Sequence, residues 1–412
     1  MNIRFYSLAL TVVAMLSSCS NDEGMAAGGG TSHSPGDVAV SLAAAGLTRA
    51  SIESGADGLF EADSIGVFAL ASGFLPGVSA DGGLAWATDG GWGGSTVLLD
   101  NVAANARRSP DATHTDMAFA DGPYFYPNDG VYIYSFYAYH PRTCNVEATD
   151  STRVAVIRLT GKEDLIYGKA VGSDPEAFSA IYFRRPGNEG NVPSVHFEHK
   201  LMRLTFTAQP VADADGQLDD VCDMTIDSVK VIGVPAEARL TVADMADGNE
   251  DGKVSFDWAD KAAMEDFLLL DTGDRPLEHG DYFMQVADGK PVEMAVGQGI
   301  MLPVPPAGAG QHRYRVAVTL RDRQGNVYHG APQEVGLPGG RAFEAGKSYN
   351  VKLVVGMGLD TLSAARQARS GAGIMDIVEA RGQCPPPGLS KSCWPPAFPL
   401  AGNNKQITEK EK

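Results

Sequence analysis

The chain is expected to be all-β, in two domains that meet near residue 195, and three observations predict it. The stretch VHFEHKLMRLTFTA from Val195 to Ala208 alternates apolar Val195, Phe197, Leu204, Phe206 and Ala208 with polar residues, the period of a strand with one buried face. It reads as one strand, or as two placed end to end. With 48 Gly, 24 Pro and many short apolar runs, the composition favours strands joined by turns over long helices. Blocks of similar alternating runs end near Pro193 on one side and near Gly356 on the other. The 412 residues are long enough for two separate cores.

Residues 1–18 form a signal peptide. Arg4 supplies a small positive region, Phe5 to Leu16 is apolar but too short to span a bilayer, and Leu16-Ser17-Ser18-Cys19 closes it. A small-residue site ending in Cys resembles a bacterial lipoprotein box, in which Cys19 becomes the acylated first residue. Asp22 and Glu23 resemble the acidic signal that sends such lipoproteins to the outer surface in Bacteroides-type bacteria. Residues 19–36, rich in Gly, Ala, Ser and Asn, bury little and read as a flexible tether.

Residues 37–194 form the first expected domain. Val38, Val40 and Leu42 alternate with small residues in a short strand that ends at Gly46-Leu47-Thr48-Arg49. Ser64 to Leu70 (SIGVFAL) is almost continuously apolar, the pattern of a strand covered on both faces. The stretch GGLAWATDGGWGG, with Trp86 and Trp92, is expected to be a hairpin with wide turns. A turn at Asn128-Asp129-Gly130 leads into Val131 to Tyr139, whose aromatic run demands a central strand. Asp164 to Gly168 is a further short strand, followed by a polar loop to Pro193.

Residues 195–358 form the second. Strands are expected at Met224 to Val234, Arg239 to Val242, Lys253 to Trp258, Tyr282 to Val286, Tyr314 to Leu320 and Tyr349 to Val355, with sandwich-like spacing and turns such as Arg323-Gln324-Gly325-Asn326. Beyond Gly358 the composition shifts. Leu359 to Arg369 suits a short helix, and the rest of residues 359–412 reads as a low-order tail broken by Pro385 to Pro387 and Pro395-Pro396.

Several motifs occur together in one order: Ala62-Asp63-Ser64-Ile65-Gly66-Val67-Phe68, the YPNDG and SFYAYHP runs, DLIYG, Phe197-x-His199-x-Leu201-x-x-Leu204-x-Phe206, and Phe343-x-x-Gly346-Lys347-x-Tyr349 followed by VKLVVG. Behind a lipoprotein box, this series resembles the fimbrillin family of Bacteroidales surface lipoproteins over about residues 20–358. Ala62 stands where that family usually has Gly, and residues 359–412 have no counterpart in it.

The resemblance implies two tandem transthyretin-like β-sandwich domains and a fimbrial subunit or accessory tip adhesin, held in the outer membrane by lipid at Cys19 and exposed on the cell surface. It implies strand completion, in which an extended segment of one subunit fills an edge groove of the next. Its partners would be other pilin subunits and host or bacterial surface ligands. It also implies removal of the first strand by an Arg-specific protease, which places the cut between Arg49 and Ala50. Arg49 reads equally well as a solvated turn residue. In the tail only Ile374 to Val378 (IMDIV) is β-prone, and Asp376 shares a face with Ile374 and Val378. An unpaired carboxylate in an apolar groove is costly, so the tail is expected to be a poor donor, which favours the accessory or tip role.

A net charge of −18 sets the chain against nucleic acid, since no excess of Lys or Arg displaces counterions from phosphates. Five cysteines make no disulfide framework. Cys144 and Cys222 read as single buried thiols, while Cys384 and Cys393 suit a local bridge. Asp247-x-Asn249-x-Asp251-Gly252 matches half of a calcium loop, but Trp258 stands where a bidentate Glu belongs, so a polar turn is expected. Gly346-Lys347-Ser348 lacks the first Gly of a phosphate loop, having Arg341 there, and leads into a strand. His196 and His199, three apart on a strand, face opposite ways and cannot share a metal. No nucleophile stands beside a base in recognisable spacing, so no enzyme and no cofactor are expected. The other reading of the chain is a glycan-binding surface lipoprotein that stacks sugars on Trp86, Trp92 and loop tyrosines.

Overall fold

The structure, a computed structural model, describes residues 37–45, 59–78, 83–88, 96–111, 113–173, 176–210, 225–246, 250–256, 264–269, 282–283, 285–287, 290–303, 313–321, 327–337, 340–358 and 369–379. The fold is all-β, as expected. Among the described residues there is one short helix.

The first block runs β1 (Leu42–Ala45), β2 (Ala62–Phe74), β3 (Val97–Arg108), β4 (Thr115–Phe119), β5 (Tyr132–His140), β6 (Val146–Ala148), β7 (Thr152–Arg158), β8 (Ile166–Ala170), helix α1 (Ala180–Phe183) and β9 (Ser194–His199). Seven of these strands close into a ring of order β1-β4-β3-β2-β5-β8-β9. Every pairing in it is antiparallel except β1 with β9. Strands β6 and β7 leave the ring.

The second block runs β10 (Met202–Pro210), β11 (Thr225–Pro235), β12 (Glu237–Asp244), β13 (Val254–Ser255), β14 (Met264–Leu268), β15 (Tyr282–Phe283), β16 (Gln285–Ala287), β17 (Lys290–Val292), β18 (Met294–Met301), β19 (Arg313–Arg321), β20 (Val327–His329), β21 (Gln333–Gly336), β22 (Ser348–Gly358) and β23 (Arg369–Glu379). Its main sheets have the orders β18-β10-β22-β23 and β14-β11-β19-β20, and a third of order β13-β12-β7-β6 takes two strands from the first block. The ladder from Glu237↔Arg158 to Asp244↔Thr152 thus joins residues on the two sides of position 195.

The alternation of the aromatic and apolar runs explains why β2 and β5 lie in the middle. On β2, Ile65, Val67, Ala69 and Ala71 enter the core of the ring, while Phe68 and Leu70 enter a second core shared with β7 and β10 to β12. On β5, Tyr134, Phe136 and Ala138 face the first core, and Tyr137 and Tyr139 the second. Both strands are covered on both faces, as expected for such runs. Beside them, β8 passes so close to β9 that a Cβ on Gly168 would lie 2.6 Å from the His196 carbonyl oxygen, so only glycine fits.

The stretch at Val195 to Ala208 resolves into two strands, β9 and β10, separated by Lys200 and Leu201. The polar loop before it holds α1, capped by Ser179 Oγ, which accepts from Tyr182 N–H.

Three expectations are corrected. Cys144 is exposed and disulfide-bonded, so it is not a free buried thiol; its partner lies outside the described residues. Residues 83–88, the described part of the expected hairpin, form no strand but an irregular segment whose Trp86 backbone N–H donates to Asp150 O at 2.6 Å. The tail is not without order: β23 pairs antiparallel with β22 from Tyr349↔Glu379 to Gly358↔Arg369. Its register sets Asp376 opposite Lys352. The expected helix at 359–369 lies outside the described residues except for Arg369, which begins β23.

Candidate functional site

The seat of β1 is the site that the architecture singles out. The segment DVAVSLAAAG pairs small residues with apolar ones at every second position, and Val40, Leu42 and Ala44 all enter the core of the ring. Before β1 the chain is already stitched in: Val40 N–H donates to Tyr124 O at 2.8 Å, Tyr126 N–H to Val38 O at 2.9 Å, and Ala39 bridges Phe125. Leu42, Ala43 and Ala44 then face Met117, Asp116 and Thr115 of β4. On the other side Ala43, Ala44 and Ala45 run parallel to Ser194, Val195 and His196 of β9. This short strand is what closes the ring. Without it, β4 and β9 present two open edges over an apolar floor that includes Met117, Val195 and Phe197. Such a seat fits an extended backbone with apolar side chains at alternate positions.

Arg49 and Ala50, just after β1, and Cys19, well before it, lie outside the described residues, as do Trp92 and Cys222. Trp86 is not a sugar platform. It is 3% exposed, its indole N–H donates to Ala71 O at 2.9 Å, and the Arg153 guanidinium stacks 5.6 Å above its ring. Tyr124 and Tyr126, in the loop before β5, are buried too, and burial drives both phenols upward from their ordinary range.

The half calcium motif acts as a clamp between β8 and the turn from β12 to β13. Asp251 is 4% exposed at its side chain, accepts the Asp244 N–H at 2.7 Å and lies 2.9 Å from Lys169 Nζ. Asp247 and Asn249 lie outside the described residues. Gly346 adopts φ +71°, where L side chains are strained, and turns the chain into β22; Lys347 there pairs with Glu344 at 2.9 Å. His196 and His199 do point apart on β9, His196 outward and His199 towards Asp164 at 3.1 Å.

Two arrangements went unseen in the sequence, the Asp164–His199 pair and the buried Arg153. Only the lone Arg in the otherwise apolar run TRVAVIR hints at the second.

A putative cell adhesion protein from Bacteroides uniformis is similar in structure, at 18% identity and TM-score 0.40, covering 84% of this chain and 99% of its own. Another from Bacteroides fragilis gives 13% and 0.37 over 82% and 99%. The fimbrial anchor protein Mfa2 from Porphyromonas gingivalis gives 10% and 0.32 over 83% and 96%. No curated protein matches the chain. A sequence profile described as fimbrillin-like matches residues 48–366, and the chain belongs to that family.

Proposed function

We propose that this chain is a surface-anchored fimbrial subunit whose ring is completed by a strand from a neighbouring subunit. The observation that carries this reading is β1, a short strand that alone joins β4 to β9 and inserts apolar side chains at alternate positions. A cut between Arg49 and Ala50 separates it from the rest of the ring. The vacated seat then offers two backbone edges and an apolar floor to an incoming strand.

Lipidation at Cys19 holds the unprocessed chain at the outer membrane. Each buried CH₂ contributes about 0.8 kcal/mol, so stable anchoring takes the several acyl chains of a bacterial lipoprotein. The disulfide at Cys144 fits an oxidising compartment outside the cytoplasm. We read the chain as a structural and adhesive protein, not an enzyme. We divide it at Lys200 and Leu201, just beyond the expected boundary at 194/195, because β9 completes the ring and β10 opens the next sheet with those two residues between them. The tail contributes β23 to the sheet beside β22, and we keep the accessory or tip role beside that of a fimbrial subunit. The glycan reading loses Trp86 to the core.

The test is labelling and sequencing of material from cells. Fatty-acid label is expected in the wild type and absent from Cys19→Ala, and mature surface protein is expected to begin at Ala50. Equal label in both, or surface protein that begins only at Cys19, would count against the reading.

A further inference from the structure

Strands β5, β8 and β9 lie side by side, and their register sets His140 opposite Ile166 and Ile166 opposite His199. The two imidazoles therefore stand at one end of the ladder, on either side of the start of β8. Asp164 comes two residues before Ile166, and its Oδ1 lies 3.1 Å from His199 Nδ1, with the side chains 7% and 6% exposed. His140 hydrogen-bonds the backbone of Asp63 and Ser64 on β2. Among the described residues, His140 Nδ1 and His199 Nε2 are buried with no hydrogen-bond partner.

The charged and titratable groups around the pair are few. Asp63 approaches from β2, Asp164 from the turn before β8, and Arg142, whose N–H donates to Ser64 O at 2.8 Å, from beyond Pro141. Lys200 follows His199 but is engaged elsewhere, with Glu198 and 5.2 Å above the Tyr167 ring. From the second block, Gly346 packs against His199, with the Glu344–Lys347 ion pair on the same turn.

Each ring uses one nitrogen, and the other is buried with no acceptor among the described residues. A second proton on His140 would create a buried cation whose new N–H has no acceptor among the described residues, an arrangement that costs far more than the neutral ring. We propose that His140 is an acid-sensitive lock on this end of the ring, closed while the imidazole is neutral and opened when its protonation demands water. Burial holds the His140 pKa below the ordinary histidine value. Because the folded value is the depressed one, the open form takes up the proton first. Closure is therefore held above about pH 6.5 and lost as the pH falls towards the folded value. Strand β1 runs parallel to β9 towards the His199 end, so opening there reaches the seat of β1. The lock stands whether or not that seat accepts another subunit's strand.

Hydrogen exchange of the full chain, corrected for the intrinsic pH dependence, tests it. The opening equilibrium of the amides in Ile166–Ala170 and Ser194–His199 is expected to rise about fivefold from pH 6.5 to 5.5. His140→Gln, which keeps a neutral donor, is expected to reduce that rise. An unchanged wild-type opening, or the same rise in the variant, would overturn the proposal. Should the variant not fold, the ring protons of His140 in the wild type decide: titration with a midpoint well below 6.5 supports the lock, and one at or above 6.5 overturns it.

Discussion

Arg153→Ala is expected to lower the unfolding free energy by about 2–5 kcal/mol, the range for leaving two buried carbonyls without their charged donor. The side chain is fully buried, and its guanidinium donates to the carbonyl oxygens of Thr149, Thr152 and Ala87 while lying over Trp86. Its approach to Asp100 is loose, with Nε 3.5 Å from Oδ1. Burial lowers the Arg153 pKa and raises that of Asp100, so desolvation outweighs their attraction. The ion pair is thus not the source of the expected loss. Alanine would take the donor from the Thr149 and Ala87 carbonyls, whereas Thr152 O keeps the Thr149 N–H, and would leave Trp86 without its cover; both losses are costly. Arg153→Met restores volume but no donors, so it should fall between the wild type and alanine. Urea unfolding followed by tryptophan fluorescence measures all three.

Removal of β1 is expected to have an effect of the same size. A chain that begins at Ala50 loses the burial of Val40 and Leu42, each about 1.5–3 kcal/mol, together with Ala44 and the backbone bonds on both sides. Against a chain that begins at Asp37, about 3–6 kcal/mol of stability should be missing. Equal urea midpoints for the two would show that β1 is not part of the ring's support.

Much of this fold was legible because its central strands carry their burial in the sequence. The run from Ile65 to Leu70 and the aromatics from Tyr132 to Tyr139 are almost continuously apolar or aromatic, and both became doubly covered strands. Strand β3 was missed for the opposite reason. Its sequence VLLDNVAANARR is interrupted by polar groups that serve other strands: Asp100 approaches Arg153, Asn101 donates to Thr143 O at 2.7 Å and accepts from Tyr139 Oη at 2.9 Å, and Asn105 accepts from Ser64 N–H at 3.1 Å. Such fastenings break the apolar period that marks a strand.

Pairings across long stretches left no trace either. Nothing local in TRVAVIR says that it will join a strand that begins at Glu237. In the tail, Ile374 to Val378 was read without a partner, whereas β23 pairs along β22. For the site, alternation in DVAVSLAAAG and the Arg that follows it were readable. That this strand is the one that closes a ring became visible only with β4 and β9 in place.

Binding of a labelled peptide of residues 37–46 to the chain that begins at Ala50, followed by fluorescence anisotropy, tests most directly whether the seat of β1 can be refilled from outside. Saturable binding is predicted, lost when the peptide carries Leu42→Asp and absent with the chain that begins at Asp37. No binding, or equal binding of both peptides, would contradict strand completion.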